Sequence, residues 1–318
     1  IVVSMLQEAS LDPRVKEISI TVYRVARNSK VMNALMTAAR NRKKVNVIIE
    51  LQARFDEEAN IYWSRKLEES GVNVYFGIPG LKVHSKLVYI SRKEDNKKMA
   101  YACVGTGNWH EGTALVYSDL ILFTSNKQIT KEVYKVFDFF ANTYKNYTYR
   151  HLVASPLYMR KKMYSLIDKE IKNAKAGKEA YIILKLNSLV DKEIIYKLYQ
   201  ANNAGVKITL IIRGICSLIP GIKGMSENIK AISIVDKYLE HSRIIIFCNG
   251  GNELYYISSA DWMTRNLDRR IEIACPIYDK EIQQELKDMI NIQLKDNVKA
   301  RIINEEQNNH YLKSSSTR

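Results

Sequence analysis

His84 and Lys86 lie two residues apart in the strand-like run Leu81 to Ile90. Side chains two apart on a strand share one face. An imidazole beside an ammonium is a nucleophile next to a cation that can neutralise an anionic substrate. The pattern returns at Glu240-His241-Ser242-Arg243, again leading into an apolar strand, Ile244 to Phe247. Two such copies point to a duplicated chemical unit. His110, His151 and His310 have no partner pattern and read as surface or loop histidines.

The elements that must hold these residues alternate between two periods. Residues 4 to 10 read as the end of a helix, with a turn over Leu11 to Arg14. A β-branched strand, Ile18 to Arg24, delivers Arg24 at its C-terminal end. A helix over Val31 to Arg42 leads to a strand over Val45 to Leu51, closely followed by Arg54. A helix from Glu57 to Ser70, a strand from Val72 to Phe76 and a loop with Gly77, Pro79 and Gly80 precede the His84 strand. After a charged hairpin at residues 92–98 come strands over Ala100 to Val104 and Tyr117 to Phe123, and a helix from Lys131 to Thr143. Residues 144–156 mix charge and aromatics without period and read as the inter-domain segment.

The second half replays the first: a helix over 168–176, a strand over 181–185 ending in Lys185, and a strand over 206–213 ending in Arg213. Arg24 to Lys185 and Val45 to Val206 are offset by 161, His84 to His241 by 157, and Asn108 to Asp261 and Asp119 to Glu272 by 153. Two deletions of four residues would align the halves. The expected architecture is therefore α/β, with two tandem domains, residues 1–150 and 151–318, related by internal duplication. Each is expected to be a mixed, largely parallel sheet flanked by helices, with sites at strand C-terminal ends. A site shared between the halves would set the two histidines face to face.

Composition narrows the partners. Forty-nine Lys and Arg against 34 Asp and Glu give +15 over 318 residues, which favours polyanions such as nucleic acid, anionic lipid or polyphosphate. Lysines beside glutamates on helix faces account for part of that excess as plain solubility. Four scattered cysteines without C-x-x-C spacing indicate neither zinc nor a disulfide framework and read as buried thiols. No apolar run reaches the roughly 20 residues of a membrane span, so a cytoplasmic location is expected. The chain opens on Ile1, directly into an apolar helical pattern, and reads as a piece of a longer protein.

The paired His-x-Lys/Arg runs, each followed by a Gly/Ser-rich turn with Asn or Asp, resemble the phospholipase D superfamily, in which one histidine attacks phosphorus and the other protonates the leaving group. The chain departs from that signature, which has an aspartate seven residues after each histidine. Here those positions are Ser91 and Cys248, which disfavours an ordinary phosphodiesterase. Nearly the whole chain is similar to the catalytic C-terminal half of the long, ATP-using polyphosphate kinases of bacteria. Tyr23-Arg24-Val25-Ala26, Glu50 to Glu57, Gly80 to Lys86, Gly105-Thr106-Gly107-Asn108, Leu186 to Asp191, Arg213 to Cys216, Leu239 to Arg243, Ser258 to Trp262 and Arg265 to Arg270 carry the likeness. Trp109-His110 stands where that family usually has Tyr-Asn.

The resemblance implies that His84 attacks the γ-phosphorus of ATP and passes the phosphoryl group to the end of inorganic polyphosphate, reversibly. His241 matches the position that handles protons. Tyr117 and Arg213 match nucleotide-contacting positions, and Arg24 and Arg54 match positions associated with Mg²⁺. A guanidinium cannot ligate a cation, so these two read as phosphate clamps beside the ion. Arg24 and Arg54 could instead belong to structural ion pairs with Glu50 or Asp56. Lys86, Lys185, Arg243, Arg265, Arg269 and Arg270 are further candidates for phosphate binding. Arg269 and Arg270 could pair with Asp268 or Glu272, and Asp119 with Glu272 could orient site cations. Expected partners are ATP or ADP, polyphosphate, an N-terminal part of the same chain and a second copy in a homo-oligomer. Nucleic acid is not expected as the primary partner, and contact with the inner membrane face is an allowed variant of the cytoplasmic location. A phosphodiesterase or nuclease using water as acceptor, and a polyanion-binding module needing no histidine, are the rival functions. No Gly-x-x-x-x-Gly-Lys-Ser/Thr loop is present, so the chain is not a P-loop kinase.

Overall fold

β-branched residues crowd the runs that become sheet interiors, because a strand covered on both faces needs apolar side chains in both directions. A computed structural model describes residues 1–51, 53, 57–95 and 97–312. They divide into two units, Ile1–Ala154 with Arg269–Ile273, and Ser155–Asp268 with Ala274–Arg318.

In the first unit α1 (Val2–Leu11), β1 (Val15–Val22), α2 (Lys30–Arg40), β2 (Lys44–Ile49), α3 (Glu57–Glu69), β3 (Asn73–Tyr75), β4 (Lys82–Val83), β5 (Lys86–Glu94), β6 (Lys97–Gly105), β7 (Tyr117–Ser118), β8 (Ile121–Thr124) and α4 (Lys127–Ala141) follow in order. The sheet order is β3-β2-β1-β5-β6-β8. Its core gathers Leu6, Ile18, Ile20, Met32, Leu35, Val47, Trp63 and Val88. Ser29 caps α2 through the Met32 N–H, and Asn126 caps α4 through the Gln128 and Ile129 N–H groups.

The second unit repeats the plan. After β9 (Val153–Ser155) come α5 (Met159–Lys175), β10 (Tyr181–Leu186), α6 (Lys192–Asn203), β11 (Lys207–Ile212), β12 (Ile229–Ser233), β13 (Leu239–Glu240), β14 (Ile244–Phe247), β15 (Leu254–Ser258), α7 (Thr264–Asp268), β16 (Arg270–Ile277), α8 (Lys280–Leu294) and β17 (Arg301–Ile303). Its order runs β17-β12-β11-β10-β14-β15-β16, and the residues of β16 used there are Ala274 to Ile277. No helix among the described residues is long and apolar enough to cross a membrane. The cysteines are free thiols; Cys103, Cys248 and Cys275 are buried and Cys216 is half-buried.

Both sheets are mixed, as expected, with parallel pairing along β1-β2-β3 and β10-β11-β12 and between the first residues of β16 and β4. The hairpins that join β5 to β6 and β14 to β15 pair antiparallel. The expected helices extend further: α4 begins at Lys127 and α5 at Met159. The C-terminal stretch folds back in part, with His310 O accepting from Ile302 N–H and Ala300 O accepting from Leu312 N–H. Residues 313–318 lie outside the described residues.

The single strand expected over residues 81–90 is two strands. His84 and Ser85 leave the ladder because both N–H groups donate to one carbonyl, Ile271 O, at 3.0 and 2.8 Å. The strand expected over 117–123 also breaks, at Asp119 and Leu120. There the Thr106 hydroxyl donates to Asp119 Oδ1 (2.7 Å) and accepts from Leu120 N–H (2.9 Å).

Sheet register corrects part of the repeat alignment. Ile18 faces Ile90, and Ile182 faces Phe247, which lies 157 residues after Ile90. Ile18 therefore corresponds to Ile182, an offset of 164, so the counterpart of Lys185 is Thr21 and not Arg24. Val45 corresponds to Ile208 rather than Val206. The offsets of 157 and 153 do agree with the later strands: Leu87 faces Val104 as Ile244 faces Ile257, and Val104 faces Leu122 as Ile257 faces Cys275. Chemistry supports the new pairing. Thr21 Oγ1 donates to Ser85 O (2.7 Å) and accepts from Leu87 N–H (2.9 Å). Lys185 Nζ donates to Ser242 Oγ (2.8 Å) and O (3.3 Å), and Ser242 is 157 residues after Ser85. Each side chain ties the innermost strand to the break after a histidine. Thr21→Val keeps the shape but strips two buried backbone groups of their partner. The expected cost is about 2 kcal/mol, a fall of about 4 to 8 °C in melting midpoint, and a melt superimposable on wild type would refute the tie.

Candidate active site

The first histidine is fixed from two sides. The Ile271 carbonyl holds its backbone, and Arg270 and Ile271 pair in parallel with Lys82 and Val83. That segment also presents Glu272, fully buried, whose carboxylate oxygens lie 2.9 and 3.0 Å from His84 Nδ1. Tyr23 meets the imidazole edge-on, with ring centroids 4.9 Å apart. Burial pushes the imidazole down to about 4 against the pull of Glu272, and the positive charges of Lys86 and Arg270 push the same way as burial. At neutral pH the ring is uncharged. Glu272 accepts a hydrogen bond from Nδ1–H, which leaves the lone pair on Nε2.

Lys86 does not stand beside the imidazole as on a continuous strand. Its ammonium is buried, donates to the His84 carbonyl and lies 5.5 Å from the centre of the Tyr23 ring. The turn after β6 adds Asn108. A Cβ on Gly107 would fall 1.9 Å from Asp119 Oδ2, so only glycine lets that carboxylate approach. Tyr117, on β7, is half-buried, as is Arg24 after β1. Arg54 and Asp56 lie outside the described residues.

In the second unit His241 stands in the same kind of break, between β13 and β14. An Arg243 guanidinium nitrogen lies 3.4 Å from its Nε2. Arg243 is held by Asp261 at 3.1 and 3.3 Å. Burial would raise Asp261, but the Arg243 charge and hydrogen bonds, with the Asn187 and Ser188 N–H groups, hold its carboxyl down to about 2. Asn187 joins two expected residues: its Oδ1 accepts from Arg213 at 2.6 and 2.9 Å, and its Nδ2 donates to His241 O at 3.0 Å. A Cβ on Gly214 would meet Asn187 O at 2.8 Å, so the chain turns there only with glycine.

Several expected cations are placed otherwise. Lys185 is 1% exposed, and its ammonium contacts Glu240 (3.0 Å) and Ser242. Asp268 pairs with Arg160 at 2.6 Å, not with Arg269 or Arg270, and Arg160 also grips Asp191 at 2.7 Å. Sequence gave no signal for Arg160 beyond a lysine-rich neighbourhood. Arg265 and Arg269 are exposed and Arg270 half-buried. Glu272 was expected to orient cations; it orients the nucleophile candidate. Among the described residues no three His, Cys, Asp or Glu side chains gather as a metal site.

Residues 1–146 match the family described as Polyphosphate kinase C-terminal domain 1, and residues 152–318 match Polyphosphate kinase C-terminal domain 2. The chain belongs to the polyphosphate kinase family. It is 54% identical over 308 residues to a polyphosphate kinase of Vibrio parahaemolyticus, covering 97% of this chain and 44% of that protein. It is 50% identical over 317 residues to one of Escherichia coli K12, covering 100% and 46%. The crystal structure of polyphosphate kinase from Porphyromonas gingivalis superposes with a TM-score of 0.92 at 44% identity, over 100% of this chain and 48% of that one. The chain thus spans about half the length of these relatives. Phosphatidylserine synthase from Haemophilus influenzae, with a TM-score of 0.58 at 10% identity over 95% of this chain and 85% of its own, shares the phospholipase D-like fold alone.

The His84–Glu272 geometry sets a titration. By NMR of ring-labelled histidine, His84 should titrate near 4, and lower still in Glu272→Gln, because the carboxylate is what raises it. A midpoint at the ordinary 6.5, or a rise in the variant, would overturn the assignment.

Proposed function

We propose that this chain carries the catalytic residues of an ATP:polyphosphate phosphotransferase, acting through a phosphohistidine on His84. The observation that supports it is the neutral imidazole, with Nδ1 on Glu272 and Nε2 left to attack. Nε2 forms a bond to the γ-phosphorus, the bond from that phosphorus to the bridging oxygen breaks, and ADP departs with the electron pair. The terminal oxygen of a polyphosphate chain then attacks the same phosphorus, the P–N bond breaks and the chain is one phosphate longer. A phosphoramidate retains high transfer potential, so both directions run. Glu272 keeps the Nδ1 proton in place as charge builds on the ring and withdraws on transfer. His241 handles the proton of the leaving or entering oxygen.

Tyr117 and Arg213 contact the nucleotide in this reading, and Arg24 and Arg54 clamp phosphates. Lys86, Arg243, Arg265, Arg269 and Arg270 add positive potential where negative charge accumulates. A guanidinium is a donor only, so magnesium beside Arg24 and Arg54 would be held by phosphate oxygens and water. The N-terminal half of the protein, a homo-oligomer and a cytoplasmic location, free or at the inner membrane face, belong to the same proposal.

In the full-length protein, His84→Ala should lose the acid-labile, base-stable label that [γ-³²P]ATP leaves, together with polyphosphate synthesis. Wild-type labelling of that variant would sink the assignment. Hydrolysis of a model phosphodiester by wild type, without ATP-dependent synthesis, would favour the water-acceptor reading instead. His241→Ala leaves the nucleophile untouched, so single-turnover labelling should persist but slow by about 10²- to 10⁴-fold. The defect should shrink with a donor whose leaving group needs no proton, and an unaltered rate and pH profile with ATP would remove the proton-handling role.

A further inference from the structure

A lysine-rich groove on the first unit is lined by none of the residues assigned above. Tyr89, Lys98, Met99, Ala100, Lys127 and Lys131 are among the residues lining a cavity of about 270 Å³ where α4 crosses β5 and β6. Lys93 stands directly opposite Lys98 on the paired strands. The four lysines are exposed.

Two features of this surface work against the unit's own stability. Like charges directly opposite on paired strands repel, and Lys93 faces Lys98. Cations in the first turn of a helix oppose its dipole, yet the first turn of α4 holds Lys127 and no acid, with Lys131 one turn on. Asp95 is exposed in the hairpin turn, and three other neighbouring acids are engaged elsewhere. Glu17 holds Lys44 (3.3 Å) and Asn46 (2.9 Å). Glu94 holds Arg92 and Tyr101, both at 2.9 Å. Glu132, on α4 itself, accepts from the Arg150, His151 and Leu152 N–H groups at 2.7, 3.0 and 2.7 Å. Lys98, Lys127 and Lys131 therefore line the groove, with Lys93 opposite Lys98 on the paired strands, and none of these three acids is committed to them.

We propose that this groove binds a stretch of inorganic polyphosphate at a distance from the transferred phosphoryl group, holding the chain while its end reacts; the choice of ligand rests on the proposed function above. Flexible, exposed ammoniums suit a flexible chain with a charge on every unit, whereas a site for one phosphate would use a fixed, buried fork of donors. Single-stranded nucleic acid fits less well, because its binding sites combine cations with an open aromatic face on which a base stacks. Tyr89 is 3% exposed, its ring packs on Tyr134 at 5.4 Å, and Lys98 lies over the Tyr134 ring.

The test is kinetic, in the full-length protein, with the triple variant Lys98→Glu, Lys127→Glu, Lys131→Glu, and with the Gln triple variant in case the charge reversal fails to fold. In the direction that consumes polyphosphate, the half-saturating concentration of long-chain polyphosphate should rise about tenfold or more, and its dependence on salt should flatten. Kinetics with tripolyphosphate, too short to reach both places, and labelling by ATP should stay at wild-type values. Unchanged half-saturation by long chains in a folded variant would overturn the groove. Loss of binding to phosphatidylglycerol vesicles, with polyphosphate kinetics unchanged, would overturn it in favour of a membrane-facing surface. If wild type forms no phosphoenzyme, the proposed function fails by itself. Direct binding of long-chain polyphosphate to wild type and variant then still decides the groove, equal affinities refuting it.

Discussion

A carboxylate with no exposure to water, facing an imidazole at 2.9 to 3.0 Å, is the interaction on which the first histidine depends. Removing an anion from water is costly unless donors replace the solvent. Glu272 can occupy that place only because the strand carrying it pairs with β4 and spends the Ile271 carbonyl on two consecutive N–H groups. Those bonds take His84 and Ser85 out of the ladder and turn the imidazole to meet the carboxylate. Local backbone geometry and acid placement are thus one constraint. It also has a sign in pH. The folded value of about 4 lies below the ordinary 6.5, so the unfolded chain binds the extra proton first. Stability from this site is intact above 6.5 and is lost as pH falls toward 4.

Duplication supplied one frame, and the two copies fill it differently. At the position that ties the central strand to the histidine break, one unit has Thr21 and the other Lys185. A hydroxyl bridges two backbone groups without further help; an ammonium in the same place needs a counter-ion, and Glu240 provides it at 3.0 Å. At the turn after the hairpin, Asn108 of one copy corresponds to Asp261 of the other, and the added charge goes to Arg243. Seven residues after each histidine the chain has Ser91 and Cys248, both buried, where an ionised aspartate would need buried donors.

The strands and helices were legible because apolar period and β-branching are local properties. Breaks were not, since His84 leaves its strand for a hydrogen bond to Ile271, 187 positions away in the sequence. The 157 and 153 offsets were readable where His84, His241, Asn108 and Asp261 act as markers. The 161 offset was anchored on two cations at strand ends, and register shows that a threonine and a lysine share the position instead. Charge type was thus a poor guide to structural equivalence, and hydrogen-bonding task a good one. Lys185 was read as a phosphate contact for the same reason. Sequence reports a charge, whereas only packing reports whether water or a buried carboxylate receives it.

Spacing alone leaves open which histidine attacks and which moves a proton, since both copies read His-Ser-cation. The held ring atom distinguishes them. Glu272 takes Nδ1 of His84 and leaves Nε2, the outer nitrogen, with its lone pair. Around His241 the carboxylate is moved from the ring to the neighbouring cation: Asp261 grips Arg243, and Arg243 turns a donor toward Nε2 at 3.4 Å. A guanidinium can only donate, so it engages the lone pair that an attacking imidazole would need. The same three ingredients, histidine, cation and carboxylate, are therefore wired differently in the two copies: the carboxylate holds the ring in one and the cation in the other.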